Sequence, residues 1–181
     1  MPQEPPDHKP PVEFVRWDDS GGADAHFPSG ARVRVLKGRA RSYPGLQGPN
    51  PETLSLYRGL KGALQQADVV WDLGSGSGAG CAELADVCQV VGIECDEEPI
   101  AFARHYAPNV RFVKPTDVSQ SALPEPSVVS IVDVLAQCAS PEALLFSLRS
   151  RTNHPRLFCA EARAFAGQSL LVPARRAFSQ T

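Results

Sequence analysis

A run of glycines and the acids around it are the residues of this sequence best suited to chemistry. The segment VVWDLGSGSGAG places four glycines in seven residues, Gly74 to Gly80, just after an apolar run that contains Asp72. Glycine costs backbone entropy and packs no side chain, so such a run suits a place where a ligand approaches the backbone. Glu94 follows 22 residues after Asp72, and a carboxylate there can accept hydrogen bonds from two ribose hydroxyls. Asp117 comes later, at a place from which a side chain could reach an adenine amino group.

Strands alternate with helices from Asp68 onward, and this alternation predicts where those residues lie. The strands are rich in Val and Ile, which is typical of βαβ units around a parallel sheet with helices on both faces. Ligands of such α/β sheets bind beyond the carboxyl ends of the strands. The glycine run occupies the first strand-to-helix turn. We predict strands at 68–73, 89–94, 110–114, 127–136 and 156–162, and helices at 78–88, 97–107 and 141–150.

The segment before this alternation differs in composition. Residues 1–11 are polar and rich in proline, so we expect a disordered tail. Residues 12–17 and 31–37 alternate apolar and polar side chains and predict a strand pair. Asn50 followed by Pro51 predicts a helix start, with an N-cap oxygen and then proline at the first helical position. We therefore expect one domain over 12–181, with the strand pair and helix in 12–67 and the core in 68–181.

Composition excludes several classes of protein. The formal net charge is −2, and neither a secretion-signal pattern nor a membrane-length apolar run is present, so we expect a cytoplasmic protein without membrane association. The five cysteines form an odd set without a CxxC pair, which argues against a metal site and a disulfide framework.

Two cofactor classes compete for the glycine run. Gly74, Gly76 and Ala79 satisfy the G-x-G-x-x-G/A pattern of dinucleotide sites, and Glu94 is near the acid that such sites need. Asp72 favours the other class. A carboxylate at the base of the loop repels a pyrophosphate and attracts a cofactor that carries an ammonium and a sulfonium.

Three motifs carry a resemblance to a known family. VVWDLGSGSGAG, VVGIECDEEPIAFAR and NVRFVKPTDVSQ resemble the first three motifs of class I S-adenosylmethionine-dependent methyltransferases. The resemblance covers residues 69 to about 162 and implies the Rossmann-like fold of that family, with S-adenosylmethionine as cofactor. The upstream segment is similar to small methyltransferases that modify RNA or a translation factor.

The resemblance implies a role for each motif residue. Asp72 and the loop of Gly74, Ser75, Gly76 and Gly78 would hold the methionine part of the cofactor. Glu94 would hold the ribose and Asp117 the adenine, with Cys95 and Val118 flanking the ring. Asp133, late in the fourth strand, would lie near the methyl donor. The similarity of the upstream segment to the small methyltransferases would place Thr53, at the start of the first helix, near the cofactor.

The sequence also departs from the family. The Asn-Pro-Pro-Tyr motif of the small methyltransferases is absent after the fourth strand, and only one further strand fits at the end, so we expect a shortened C-terminal edge. Catalytic residues are therefore unknown, and Cys138 and Glu161 are weak candidates. A non-catalytic protein that binds the cofactor or a partner is the alternative, and a nicotinamide-dependent oxidoreductase is a third.

The methyl acceptor stays open among small molecules, proteins and RNA. Two basic segments favour a nucleic acid, with Arg32 and Arg34 on one face of a strand and Arg175 and Arg176 near the end of the chain. Solvated charged faces are the simpler interpretation. An unfinished sheet edge also makes a dimer possible.

Overall fold

The computed structural model of the protein describes residues 14–17, 23–35, 51–119, 121–135, 139–151, 153 and 155–160. The described chain forms two sheets and four α-helices. Outside these residues lie the predicted tail over 1–11, Cys138 and Glu161, the arginine pair Arg175 and Arg176, and the predicted shortened C-terminal edge. Nothing described tests the predicted domain bounds. Of the described helices, none has both the length and the apolar composition that crossing a membrane requires.

Five parallel strands form the larger sheet: β4 (Val69–Leu73), β5 (Gln89–Ile93), β6 (Arg111–Val113), β7 (Val128–Val132) and β8 (Arg156–Ala160). They lie in the order β6-β5-β4-β7-β8. This arrangement confirms the predicted parallel sheet. All five residues of β7 are buried, as expected for a strand covered on both faces.

Helices cover both faces of this sheet, as predicted. The first three, α1 (Pro51–Lys61), α2 (Ala79–Ala85) and α3 (Glu97–Tyr106), pack on one face through a core that includes Tyr57, Leu84 and Ile100. The fourth, α4 (Pro141–Arg151), packs on the other face, where Leu144 and Leu148 meet Trp71 and Ile131. A 3-10 turn, Pro115–Asp117, follows β6.

The smaller sheet is an antiparallel meander of β1 (Phe14–Trp17), β2 (Ala23–His26) and β3 (Arg32–Val35). The sequence predicted the first and third of these strands and missed β2. The meander packs on α3, where the fully buried rings of Phe27 and Phe102 meet edge-on with their centroids 5.2 Å apart.

Several predicted bounds need correction. The predicted strand over 127–136 ends at Val132, because Asp133 has a left-handed backbone with φ of 57° that a strand cannot continue. The predicted helix over 78–88 is shorter, Ala79–Ala85, and begins after Gly78 in the left-handed conformation. The prediction that the first helix starts at Pro51 is confirmed.

Candidate functional site

The glycine loop lies at the carboxyl ends of β4, the central strand, and its neighbour β5. The backbone N–H groups of Gly74 and Ser75 both donate to the carbonyl oxygen of Ile93, at 2.8 and 3.2 Å. The loop that leaves β4 is therefore fastened across the end of β5. When the five strands of this sheet are numbered along the chain, their order across the sheet is 3-2-1-4-5. The glycine loop lies next to the point where this order reverses, and ligands of such sheets bind at that point.

The glycines of this loop do two different things. Gly74, Gly76 and Gly78 all have positive φ, at 69°, 54° and 85°. A Cβ at Gly74 would collide with Val134, and one at Gly78 would come within 2.9 Å of Ala103. A Cβ at Gly76 would meet no atom nearer than 4.0 Å. Gly74 and Gly78 thus allow close packing, while Gly76 presents bare backbone to open space.

Glu94 joins the glycine loop to the loop after β5. It follows the last residue of β5, and one carboxylate oxygen accepts from the N–H of Gly76 at 2.9 Å. The other oxygen accepts from the N–H groups of Cys95 and Asp96, at 2.7 and 3.1 Å. A carboxylate has about four acceptor positions, so these three bonds orient the group and leave capacity for a ligand hydroxyl.

Asp72 lies beneath the loop and is fully buried. Its carboxylate accepts from Ser130 Oγ at 2.5 Å, from Tyr57 Oη at 3.0 Å and from Cys81 Sγ at 3.2 Å. Burial raises the pKa of the Asp72 carboxyl to about 6, while these three hydrogen bonds oppose the rise and the charge of Glu94 adds to it. The three donors therefore favour the ionised form of a carboxyl group that burial alone would keep neutral.

Asp133 and Thr53 meet at the carboxyl end of β7. Thr53 Oγ1, in the first turn of α1, donates to Asp133 Oδ2 at 2.6 Å. Asp133 is the one described residue other than glycine that has a positive φ, a conformation that costs free energy and often occurs at functional sites. Contact of either residue with a cofactor stays a prediction.

The remaining predicted cofactor residues sit around the same edge. Cys95 is exposed in the loop after β5, and Asp117 is exposed at the end of the 3-10 turn after β6. Val118 is half-buried against the apolar core that also contains Val113. Ser75 is buried, and its hydroxyl has no hydrogen-bond partner among the described residues. Direct contact of these residues with a ligand stays a prediction.

The basic face of β3 lies beside the start of α3. Arg32 and Arg34 are exposed and line a cleft of about 540 Å³ between β3 and α3. The opposite wall holds Glu97 and Glu98, so the cleft has mixed charge. Arg34 also forms an ion pair with Asp24 at 3.3 Å. The prediction that these arginines bind nucleic acid therefore remains a prediction, with acids close by that would repel a phosphate backbone.

The sequence did not reveal three residues that complete the site. Tyr57 falls in the helix that begins at Pro51, Ser130 in the predicted strand over 127–136 and Cys81 in the predicted helix over 78–88. All three donate to Asp72, and Tyr57 does so from 15 residues upstream. The Gly80 position offered a signal, because its missing side chain makes room for the Tyr57 ring.

A family model described as a methyltransferase domain matches residues 71–150. The match begins one residue before Asp72 and includes the glycine loop, Glu94, Asp117 and Asp133. It confirms the resemblance to class I methyltransferases over this segment, which is somewhat less than half of the chain. A comparison with curated protein sequences finds no match.

Solved structures with a similar fold include three methyltransferases. A methyltransferase from Thiobacillus denitrificans, in complex with S-adenosyl-L-homocysteine, has a TM-score of 0.49 at 20% identity, over 61% of this chain and 48% of that one. One from Geobacter sulfurreducens, with the same ligand, has 0.44 at 24%, over 59% and 45%. The C-terminal domain of a precorrin-6Y C5,15-methyltransferase from Rhodobacter capsulatus has 0.47 at 21%, over 62% and 61%. The chain thus spans about half the length of the first two.

Proposed function

We propose that this protein binds S-adenosylmethionine at the carboxyl edge of the larger sheet and transfers its methyl group to an acceptor. The observation that carries the proposal is the hydrogen bond from the Gly76 N–H to Glu94, which makes the glycine loop and the ribose-type acid parts of one site. The methyltransferase family match over 71–150 supports the same cofactor class.

The residues at this edge fit such a cofactor. Gly76 offers backbone with open space above it, so a ligand can approach without meeting a side chain. The buried hydroxyl of Ser75 lacks a partner among the residues described, and an unpaired buried hydroxyl costs free energy that a ligand or water would recover. Glu94 retains acceptor capacity for ribose hydroxyls.

Each residue then has a defined task in the proposed reaction. Glu94 holds the ribose, Asp117 faces the adenine amino group, and Val118 packs beside the ring. The negative charge of Asp72 attracts the ammonium and sulfonium groups from below the loop. When bound, S-adenosylmethionine supplies a methyl group already activated by its sulfonium, so the protein's main contribution is alignment of donor and acceptor.

Of the other two hypotheses, the nicotinamide-dependent oxidoreductase has less support, and the non-catalytic protein has the same support from the site. A nicotinamide dinucleotide would bring its pyrophosphate over Asp72, and the family match points to methyltransferases rather than oxidoreductases. A non-catalytic protein that only binds the cofactor shares every feature of the site given above. Binding therefore has to be measured first, followed by turnover with candidate acceptors of the three classes.

Calorimetric titration with S-adenosylhomocysteine, the unreactive product, tests the proposal. We expect micromolar affinity for the natural chain and at least about tenfold weaker binding for Glu94→Gln, since bonds to a charged acceptor contribute roughly 1.5–3 kcal/mol. Glu97→Gln is the matched control. Glu97 is an exposed glutamate three residues further on, paired with Lys114, and its substitution should leave the affinity unchanged. An absence of binding to the folded natural chain would refute the proposed function.

A further inference from the structure

One face of α1 contacts three separate parts of the site region. Thr53, Tyr57 and Lys61 are spaced by four residues and therefore project from the same side of the helix. Thr53 donates to Asp133 after β7, and Tyr57 donates to Asp72 at the end of β4. Lys61 bonds Asp86, just after α2, at 2.7 Å. The helix is thus fastened along its length, from the loop after β7 to α2.

The Tyr57 ring is held firmly at the middle of this row. Tyr57 is only 4% exposed, and its ring lies against Gly80 of α2 so closely that a Cβ at that position would collide with it. The ring therefore cannot shift far along α2. Its hydroxyl contacts both oxygens of Asp72, at 3.0 and 3.1 Å. This geometry sets the orientation of a fully buried carboxylate from a helix that precedes it in the chain.

We propose that α1 is a clasp on the cofactor site, in which Tyr57 positions Asp72 and Thr53 positions Asp133 through their hydroxyl groups. Both acids were assigned to the cofactor site, and the clasp reaches each of them with a hydroxyl donor. Tyr57 acts through Asp72 and is a positioning residue. The inference rests on the proposed function, because it concerns affinity for the same cofactor.

The surroundings of Asp72 make this role measurable through pH. The groups that face its carboxylate are the Tyr57 hydroxyl from α1, the Cys81 thiol from α2, the Ser130 hydroxyl from β7 and, at longer range, Glu94 after β5. None of them is a cation, so donors alone stabilise the charged form. Burial, with the nearby Asp72 charge, raises the pKa of Tyr57 well above its usual value, so its hydroxyl keeps the proton that it donates.

Removal of one hydrogen-bond donor shifts the pKa of Asp72 in a known direction. The hydrogen bond from Tyr57 lowers the pKa of Asp72, so its loss raises that pKa and leaves less carboxylate near neutral pH. If the carboxylate attracts the ammonium of the ligand, affinity rises with pH as Asp72 ionises. The rise should then occur at higher pH in a protein that lacks the hydroxyl.

The test compares Tyr57→Phe with Tyr106→Phe in S-adenosylhomocysteine titrations between pH 5.5 and 8. Tyr106 is a half-buried tyrosine of α3 that packs against Phe102, so its substitution removes the same hydroxyl away from the site. We expect Tyr57→Phe to weaken binding about fivefold at pH 6.5 and less at pH 8, as the loss of one bond to a charged group would. Tyr106→Phe should match the natural chain throughout.

Thr53→Val tests the other end of the clasp and serves if Tyr57→Phe fails to fold. It removes the donor to Asp133 and should weaken binding about threefold without a shift of the pH profile, because Asp72 keeps its donors. Equal affinities for both tyrosine variants, or a loss for Tyr57→Phe that is the same at every pH, would contradict the positioning role. Failure of the natural chain to bind at all would instead refute the proposed function, and the clasp with it.

Discussion

Asp68 and Asp72 lie at opposite ends of β4, and their surroundings shift the pKa values of their carboxyl groups in opposite directions. Asp68 accepts from Arg156 at 2.5 Å, and also from Ser127 Oγ and the Gln65 N–H, both at 2.8 Å. The bond from Arg156, followed by the bond from the Gln65 N–H, lowers the pKa of Asp68 to about 2. Asp72 is buried among neutral donors, and burial raises its pKa to about 6.

The difference makes Asp68 a structural acid and leaves Asp72 as the candidate for function. Asp68 ties together the starts of β4, β7 and β8, because Ser127 precedes β7 and Arg156 begins β8. Its charge is compensated, so it stabilises the amino end of the sheet. Asp72 carries a charge that no cation among the described residues compensates, at the edge where ligands of α/β sheets bind. An acid kept at a cost in stability at such a place is a candidate for function.

The largest expected effect is on stability, at Gly78, the glycine of the loop after β4 that allows close packing. Gly78→Ala places a Cβ against Ala103 and Phe112 in the left-handed conformation. We expect a loss of about 2–4 kcal/mol in the free energy of unfolding, from backbone strain plus overpacking. Gly76→Ala is the control, since it has the same kind of strain with open space around the Cβ and should lose only about 1–2 kcal/mol. Urea unfolding measures the free energy of unfolding of both variants. Equal losses would contradict the claim that Gly78 allows close packing while Gly76 faces open space.

The next effect is the pH dependence that Asp72 imposes. A raised native pKa contributes stability that is fully present below the unfolded value near 4 and is lost as pH rises through 6. Asp72→Asn removes this titration. We therefore expect the stability of the variant, relative to the natural chain, to increase by roughly 2–3 kcal/mol between pH 4 and pH 7. A difference that stays constant over this range would show that Asp72 does not have the raised pKa.

The pH dependence of stability that Asp68 imposes should have the opposite sign and a smaller magnitude. Its lowered pKa contributes stability that is present above pH 4 and is lost as pH falls through 2. Asp68→Asn should cost about 1–2 kcal/mol at pH 7, a discounted value because the Arg156 side chain is 58% exposed to solvent. The loss should vanish near pH 2. Asp24→Asn, which breaks the exposed pair with Arg34, is the control and should cost much less.

The sequence predicted the parallel sheet because its strands are continuous runs of Val and Ile separated by helical segments. It predicted the glycine loop and the acids around it because those residues end or follow the strands. It missed β2, since the letters ADAH hold small and polar residues that give no strand pattern. It also missed Tyr57 as a partner of Asp72, because that contact arises only when α1 packs on the sheet. The order of the strands and their approximate ends can be located in the sequence, whereas partners from other elements depend on tertiary packing.

The most direct test of the contrast between Asp68 and Asp72 is a titration of S-adenosylhomocysteine into the natural chain, Asp68→Asn and Asp72→Asn at pH 7.5. Both substitutions replace a carboxylate of β4 or its flank with an amide of the same size. We expect the natural chain and Asp68→Asn to bind with equal affinity and Asp72→Asn to bind at least about tenfold more weakly, because only Asp72 lies beneath the glycine loop. Equal binding by all three proteins would contradict the assignment of Asp72 to the cofactor site, and a loss confined to Asp68→Asn would reverse it.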